Sequence, residues 1–285
     1  NGGDHQLMLR QIESLYANAV RHGMNMTMFR GNVAETNDLA SVREAMMTVE
    51  MMNRVGMRTD VLQGGAFPYK LHWWGRKSPI TYEEARSNAE YVVKCADAAF
   101  GHHNIYMGYG DEPAGKWLID NRGVFMAFED VGMKFFLAGW SAIFQLNPFA
   151  MDWQNIGGSP EGGVELVRKW NQLGMRSAWY AGHHVGPENP AFCRRQYGFG
   201  PYRAGLSCDF NYAHHLQEWN DIGTDYYKPM MFVYGIWNGC VDTLQWEGFR
   251  EGLDDIRYAT LMSALAREAQ KSADIETRYL GGKAL

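Results

Sequence analysis

Two periodicities of apolar residues alternate along the chain. Stretches in which apolar residues return every three or four positions predict amphipathic helices, and they cover 5–22, 39–55, 81–99, 115–131, 160–173 and 190–203. Short apolar runs follow these stretches and predict strands at 26–30, 59–63, 104–109, 135–139, 177–181 and 206–210. One further run, 149–153, precedes the helical stretch that begins at 160. The pattern therefore predicts helices and strands in alternation.

A glycine, usually followed by methionine, stands between a helical stretch and the next apolar run. Glycine adopts the left-handed conformation that ends a helix, so each copy predicts a helix C-terminus that leads directly into a strand. We expect the methionine to pack beneath the sheet. The copies are Gly23-Met24, Gly56-Met57, Gly132-Met133 and Gly174-Met175, and Gly101 has the same place without the methionine.

Strands that alternate with helices of this length predict a parallel α/β sheet. The fold class we expect is a (β/α)₈ TIM barrel that occupies 1–285 as a single domain, because such a barrel uses about 250 residues. The pattern has only seven strand runs and opens on a helix, so the first strand is expected upstream of residue 1 or within the N-terminal residues. A doubly wound open sheet is the alternative, but no strand run is followed by a glycine-rich phosphate loop.

The C-terminal part has a different pattern. An apolar run at 230–237 is followed by a long amphipathic stretch at 246–268, which predicts the helix that closes the barrel beside the first one. Glu247 and Arg250 have the spacing of an ion pair on a helix, whereas Glu251 and Asp255 are a like-charge pair that needs a cation such as Arg257. We interpret this helix as structural.

Composition excludes several kinds of partner. The formal net charge is −5 and no block of Lys or Arg occurs, so a nucleic-acid partner is not expected. No run approaches the roughly 20 apolar residues of a membrane span. The four cysteines form no C-x-x-C pattern, which argues against a zinc ribbon. The first four residues have neither an initiator Met nor a signal-peptide pattern, as expected of a cut or processed chain. The oligomeric state stays open.

Active sites of parallel barrels lie at the C-terminal ends of the strands. The residues that follow the apolar runs here are polar and aromatic, which suits a sugar pocket because rings stack on sugar faces and polar groups bind hydroxyls. A carbohydrate is therefore the expected partner. The predicted substrate-binding residues are Arg30, Trp140, Asp152, Trp153, Tyr180, His183, Asp209, Asn211 and Tyr212.

The adjacent carboxylates Asp111 and Glu112 are the sharpest candidates for catalysis. Neighbouring side chains on a strand point in opposite directions, so two adjacent acids serve one pocket only where the strand has ended. Gly110 permits such a turn, and Pro113 prevents the strand from continuing. The alternative is a solvated acidic turn that caps the helix starting near Gly115.

Three histidine doublets raise the question of a metal site. Adjacent histidines on a strand diverge and do not bind one ion together, so neither a metal nor a cofactor is expected. His102-His103 precedes its strand and is interpreted as structural. The alternative is that one histidine each from His183-His184 and His214-His215 joins Asp152 or Asp209 as a metal site.

The stretch from Gly108 to Pro113 resembles the Asp–Glu motif of glycoside hydrolase family 123, the β-N-acetylgalactosaminidases, and that of the family 20 hexosaminidases. The stretch from Trp246 to Tyr258 resembles the C-terminal signature of family 123 and its uncharacterised bacterial relatives. The resemblance implies that Glu112 is the general acid/base and that Asp111 orients the substrate's 2-acetamido group. Relatives usually carry a β-sandwich domain before the barrel, and a glycan-degrading role favours a periplasmic or secreted location.

These residues predict a retaining β-N-acetylhexosaminidase that uses substrate-assisted catalysis. The run before His183 ends without a carboxylate, so the nucleophile of the common two-carboxylate scheme is missing, while a second acid stands beside Glu112. The alternatives are a two-carboxylate glycosidase that acts on a neutral sugar through Asp152 or Asp209, and a non-catalytic barrel that binds glycans.

Overall fold

Seven parallel strands form one sheet in the order of the chain, β1 to β7. The computed structural model describes residues 4–34, 39–65, 80–110, 112–113, 115–139, 141–146, 153–156, 160–180, 189–210, 214 and 232–285. Each strand pairs in parallel with its successor. The strands are Met28–Asn32, Leu62–Gly65, Ile105–Gly108, Lys134–Gly139, Trp153–Ile156, Arg176–Tyr180 and Cys208–Phe210.

Helices precede β1 and lie between the successive strands. This alternation confirms an α/β fold with a parallel sheet. Polar side chains cap the N-termini of several helices. At the start of the first helix, the Asp4 carboxylate accepts a hydrogen bond from the Leu7 backbone amide at 2.8 Å. The helices up to β7 are α1 His5–Arg21, α2 Leu39–Arg54, α3 Tyr82–Phe100, α4 Gly115–Asp120, α5 Arg122–Glu129, α6 Ser141–Leu146, α7 Val164–Gln172, α8 Pro190–Gln196 and α9 Phe199–Ala204.

The glycine–methionine motif ends its helices as predicted. All four glycines have a left-handed φ between 76° and 88°. In each copy the glycine amide donates to the carbonyl three residues earlier and the methionine amide to the carbonyl five residues earlier, as at Gly132 (2.8 Å) and Met133 (3.1 Å). This is the Schellman arrangement, which satisfies carbonyls that the helix end leaves open. Met57 and Met133 are buried in the core below the sheet.

The sheet is strongly curved. The rings of Phe136 on β4 and Phe210 on β7 have centroids 4.6 Å apart, although three strand intervals separate them, which is roughly 14 Å in a flat sheet. Arg176 on β6 likewise donates to the hydroxyl of Tyr106 on β3. Side chains therefore meet across the concave face, as they do inside a filled barrel.

The outer edge of β1 is covered by α2. The amide of Arg30 donates to the Thr48 hydroxyl at 3.2 Å, and the amide of Asn32 donates to the Ser41 hydroxyl at 2.8 Å. These hydroxyls satisfy backbone groups that another strand would otherwise bond, which is one way that proteins protect a sheet edge. Gly31 permits the close contact, because a Cβ there would lie 2.2 Å from the Ser41 carbonyl oxygen. Within the described residues the sheet ends at β1.

The C-terminal segment contains an antiparallel hairpin that the sequence pattern did not predict. The hairpin strands are β8 Val233–Ile236 and β9 Gly239–Asp242, followed by α10 Leu244–Ala269 and α11 Ile275–Ala284. The hairpin packs on α1, where Gln11 donates to the Ile236 carbonyl at 3.2 Å and Asn18 to Asp242 at 2.6 Å. The first helix therefore lies against the C-terminal segment.

Two apolar clusters hold these layers together. The larger one lies between the sheet and the helices from α1 to α7 and includes the buried rings of Phe125, Phe128 and Phe135. The second one joins β6, α8, the hairpin and α10 through Trp179, Tyr197, Phe232, Trp246 and Phe249. Among the described residues no helix combines the length and the apolar character that crossing a bilayer requires.

Three predicted boundaries were wrong, each for a local reason. β5 begins at Trp153 instead of ending there, because Gln154 and Asn155 within it carry no apolar signal. The predicted helix at 115–131 is broken at Asn121, whose side chain accepts from the Tyr109 hydroxyl at 2.8 Å. The predicted helix at 190–203 is broken at Gly198, where a Cβ would lie 2.9 Å from the Gly252 backbone of α10.

The stretch from Trp246 to Tyr258 lies within α10 and packs against α8. Glu247 and Arg250 form the predicted pair at 2.8 Å. The cation that joins Glu251 and Asp255 is Arg194 of α8, at 2.9 and 2.7 Å, and not Arg257. The glycines of the stretch allow close packing, since a Cβ at Gly248 would lie 2.3 Å from the Pro190 carbonyl oxygen of α8.

The Gly–Met helix ends allow a direct test of the left-handed conformation. Gly56 has φ 84° and a Cβ there would meet nothing within 4 Å. We therefore expect Gly56→Ala to lower the free energy of unfolding by about 1 kcal/mol through backbone strain alone, and Gly56→Asn to lower it less, because Asn tolerates this conformation better. Urea unfolding of the purified chain measures both.

The matched control for this test is Gly235→Ala. The space around Gly235 is equally open and its φ lies outside the left-handed region. This variant should keep the stability of the wild type, because alanine fits a strand at least as well as glycine. Equal losses at Gly56 and Gly235 would contradict the assignment of strain to the helix end.

Candidate active site

The turn after β3 carries the predicted catalytic pair. β3 ends at Gly108, and the chain then turns through Gly110, whose φ is 85°. A Cβ on Gly110 would lie 2.6 Å from the Trp117 ring, so only glycine fits beneath this ring. Tyr109 is buried and donates to Asn121 at 2.8 Å. The aromatic residues Tyr109 and Trp117 thus hold the turn in place, and Gly110 permits the turn as predicted.

Glu112 has an unusual backbone conformation. Its φ is 42°, and no other described residue except glycine has a positive φ. The left-handed conformation costs a residue with a Cβ about 1 kcal/mol or more, and such strain clusters at functional sites. The Glu112 side chain is exposed, while Pro113 beside it is buried. The turn therefore holds Glu112 strained and accessible just beyond the C-terminal end of a central strand.

The concave face of the sheet beneath this turn has an aromatic layer and a cationic layer. Phe136 stands in register with Gly108, the last residue of β3, and its ring contacts Phe210. One step toward the N-terminal ends of the strands, Lys134 and Arg176 lie 5.3 and 5.8 Å from the Tyr106 ring centroid. Aromatic rings near the strand ends offer the planar surface on which a sugar stacks.

The sequence interpretation did not single out Phe136 or Phe210. The signal was present in the alternation along each strand, because Phe135 and Leu137 are buried against the helices and Phe136 must then face the other side. Because apolar residues occupy both faces of the strand, the sequence alone does not show which of them face the helices and which face the concave side. Both faces of a parallel sheet are covered, so a strand reads as one apolar run.

Asp209 faces the helices and not the concave side. It stands in register with Trp179, which belongs to the cluster that packs against α8, and it alternates with Phe210, which faces Phe136. Its Oδ1 is enclosed and has no hydrogen-bond partner among the described residues. Burial raises the pKa of the Asp209 carboxyl well above its usual range. This position does not favour Asp209 as a nucleophile at the strand ends.

Arg30 lies in β1 and pairs with a helix. Its guanidinium Nε donates to Glu44 of α2 at 2.7 Å, and both side chains are about half exposed. This ion pair gives the Arg30 guanidinium a partner within the protein. A role of Arg30 in substrate binding stays a prediction.

The other predicted site residues are placed only in part. Trp153 is the first residue of β5, and its backbone stands in register with that of Phe136. Tyr180 is the last residue of β6, and its backbone stands in register with that of Phe210. His102 precedes its strand and its ring lies 2.7 Å from the Thr59 carbonyl oxygen, and the His103 ring lies 2.9 Å from Asp97, so both rings have partners outside the strand ends. The predicted residues outside the described part of the chain are Asp111, Trp140, Asp152, His183, His184, Asn211, Tyr212 and His215.

Comparison with known proteins gives a likeness of fold. Neither a family model nor a curated protein matches the chain. Among solved structures, the catalytic domain of the GH30 xylanase C from Talaromyces cellulolyticus has a TM-score of 0.51 at 9% identity, covering 87% of this chain and 70% of that one.

Two further structures are similar at lower scores. The endo-1,4-β-D-mannanase from Thermotoga petrophila RKU-1 has a TM-score of 0.48 at 12% identity, with 88% and 95% of the two chains covered. A GH138 enzyme targeting pectin rhamnogalacturonan II has 0.47 at 9% identity, and the chain spans 39% of its length. A 2,3-dimethylmalate lyase of the PEP mutase/isocitrate lyase superfamily also matches, with a TM-score of 0.40 at 10% identity, so the similar structures do not share one activity. At these identities the likeness with the xylanase domain is one of fold alone.

Proposed function

We propose that this chain is a glycoside hydrolase with Asp111 and Glu112 as its catalytic carboxylates, on a single barrel domain. The observation that carries the proposal is the left-handed backbone of Glu112 in the turn after β3. A solvated turn that merely capped the next helix would use glycine or asparagine there without strain. The barrel-type glycoside hydrolase fold of the xylanase domain supports the same reaction class.

The proposed reaction is hydrolysis of a β-N-acetylhexosaminide with retention. Glu112 protonates the leaving oxygen as the glycosidic bond breaks, and the substrate's own acetamido oxygen attacks the anomeric carbon. Asp111 accepts a hydrogen bond from the acetamido N–H and balances the charge of the oxazolinium intermediate. Water, activated by Glu112, then opens this ring. Such enzymes are exceptions to the scheme with two separated carboxylates. The resemblance to families 123 and 20 supports this choice of substrate.

A non-catalytic glycan-binding barrel is the alternative from another class. A binding protein would show affinity for a glycan without releasing product, so turnover of aryl β-glycosides with and without a 2-acetamido group separates the two functions. Release from the acetamido substrate alone supports substrate assistance. Release from neutral glycosides alone would support a two-carboxylate enzyme on a neutral sugar, and no release from either would support a binding protein.

Leaving groups separate the roles of the two carboxylates. Glu112→Gln removes the proton donor, so substrates with poor leaving groups should lose about 10²–10⁴-fold in kcat/KM, while an activated aryl substrate loses far less. Asp111→Asn removes the charge opposite the oxazolinium, so both substrates should lose alike. The measurement is the ratio of the two losses in each variant. Equal losses in Glu112→Gln, or full activity in Asp111→Asn, would contradict this division.

Stability and activity should change in opposite directions at Glu112. Glu112→Gly relieves the left-handed strain, so the free energy of unfolding should rise by roughly 0.5–1 kcal/mol even though activity is lost. The control is Glu83→Gly in the first turn of α3, where an ordinary helical residue is lost and stability should fall. Urea unfolding measures both variants. A loss of stability in Glu112→Gly would mean that the Glu112 side chain itself holds the turn.

Asp209→Asn tests the two-carboxylate alternative through pH. Because burial raises its pKa in the folded state, the folded protein binds this proton more tightly, and stability is lost as pH rises from the unfolded pKa of about 3.9. The neutral asparagine avoids this loss. The melting temperature of the variant should therefore equal that of the wild type near pH 4 and exceed it near pH 7. The variant should also retain activity. Loss of activity with an activated aryl substrate would instead indicate a nucleophilic Asp209.

A further inference from the structure

Three side chains that commonly bind metal ions converge where α1 meets the C-terminal segment. The His22 Nε2 atom, at the end of α1, lies 3.7 Å from Asp242 Oδ2 on β9 and 3.4 Å from Glu247 Oε1 on α10. One ligand atom from each residue lies within 4.8 Å of the other two. None of the three belongs to the turn after β3 or to a histidine doublet, so the proposed glycosidase reaction does not use them.

The imidazole of His22 is oriented as in a metal site. The residue is buried, with 3% of its surface exposed. Its Nδ1 lies 2.9 Å from the carbonyl oxygen of Asn18, and a carbonyl only accepts, so Nδ1 carries a hydrogen and Nε2 is the ring atom that faces the two carboxylates. The ring also stacks on Trp246, with centroids 4.6 Å apart. A ring nitrogen that faces two carboxylates is stable there only with a cation between them, and that cation is either a proton on Nε2 or a metal ion.

Each carboxylate has one oxygen fixed and the other directed at His22. Asp242 Oδ1 accepts from the Asn18 amide at 2.6 Å, which leaves Oδ2 toward the imidazole. Glu247 Oε2 accepts from Arg250 at 2.8 Å, which leaves Oε1 toward the imidazole. Metal ligands characteristically have outer partners of this kind, which set their orientation. A simple ion pair does not require that each of the three groups be oriented by a further hydrogen bond.

The separations fit a metal better than direct hydrogen bonds. An N–H···O bond has its donor and acceptor about 2.9 Å apart, and both contacts of Nε2 are longer. Ligands at about 2.0–2.2 Å from a tetrahedral zinc ion are roughly 3.4 Å from each other. We propose that His22, Asp242 and Glu247 bind a divalent transition-metal ion of the Zn²⁺ type, with water in the remaining position.

Such an ion would link α1 to the C-terminal segment. His22 and Glu247 are separated by 225 positions, and a crosslink over so long a loop removes much of the conformational freedom of the unfolded chain. The expected role is therefore stabilisation of the contact between α1 and the C-terminal segment, with catalysis left to the strand ends.

Zinc titration of the full chain tests the proposal. After removal of metals with a chelator, calorimetry should show one Zn²⁺ bound per chain, and the melting temperature should rise with the zinc concentration. Glu247→Gln and Asp242→Asn keep the shape of each side chain but remove a ligand charge, so each should weaken binding by more than about tenfold. Co²⁺ in place of Zn²⁺ should give visible d–d absorption that both variants lose.

Glu251→Gln is the matched control, because Glu251 lies one turn further along α10 and pairs with Arg194 outside the cluster. Its zinc affinity should equal that of the wild type. The proposal is overturned if the wild type binds no zinc, or if it binds zinc equally well in Glu247→Gln and Asp242→Asn. It is also overturned if these variants lower the melting temperature equally in zinc and in chelator, which would indicate an ion pair of protonated His22.

Discussion

One buried amide, the side chain of Asn18 on α1, bonds both the β8–β9 hairpin and α10, and the arrangement of the outer layer depends on it. Asn18 is 1% exposed, and its side chain accepts from the Trp246 indole at 2.7 Å and donates to Asp242. A buried amide that lost these partners would cost about 1–3 kcal/mol for each unsatisfied group. Because α2 covers the outer edge of β1, the first helix and the C-terminal segment meet through side chains and not through a strand ladder. The second apolar cluster is then assembled around Trp246.

The candidate active site depends on a different constraint, the packing of small and large residues at the strand ends. Gly110 fits under Trp117, and a Cβ at Gly139, the last residue of β4, would lie 2.4 Å from Ile143. Both glycines let a helix approach the end of its strand closely, so the turn after β3 is tightly supported from the helix side. A strained residue persists only where its surroundings determine its conformation. The packing around Gly110 therefore explains how Glu112 is kept in a conformation that it would not adopt alone.

Much of this fold was predictable because its signals are local. The Gly–Met pairs predict left-handed helix ends from two adjacent residues, and the structure confirms all four. The β8–β9 hairpin was missed because Trp237 and Asn238 form its turn within an otherwise apolar stretch. The break at Gly198 depends on contact with Gly252, more than fifty residues away, and no local pattern indicates it. The orientation of Asp209 required the register with Trp179, which only the assembled sheet provides.

The concave face of the sheet consists of two layers, an aromatic one near the strand ends and a cationic one below it. Phe136 and Phe210 separate the turn after β3 from the cations around Tyr106. Lys134 and Arg176 lie on the far side of these rings, so they would act on a carboxylate above the rings from a distance, and Coulomb attraction falls with separation. In the proposed site, Glu112 is exposed in the turn after β3. The aromatic floor would then hold a sugar ring flat beneath the Glu112 carboxylate, with its glycosidic oxygen at the level of the turn.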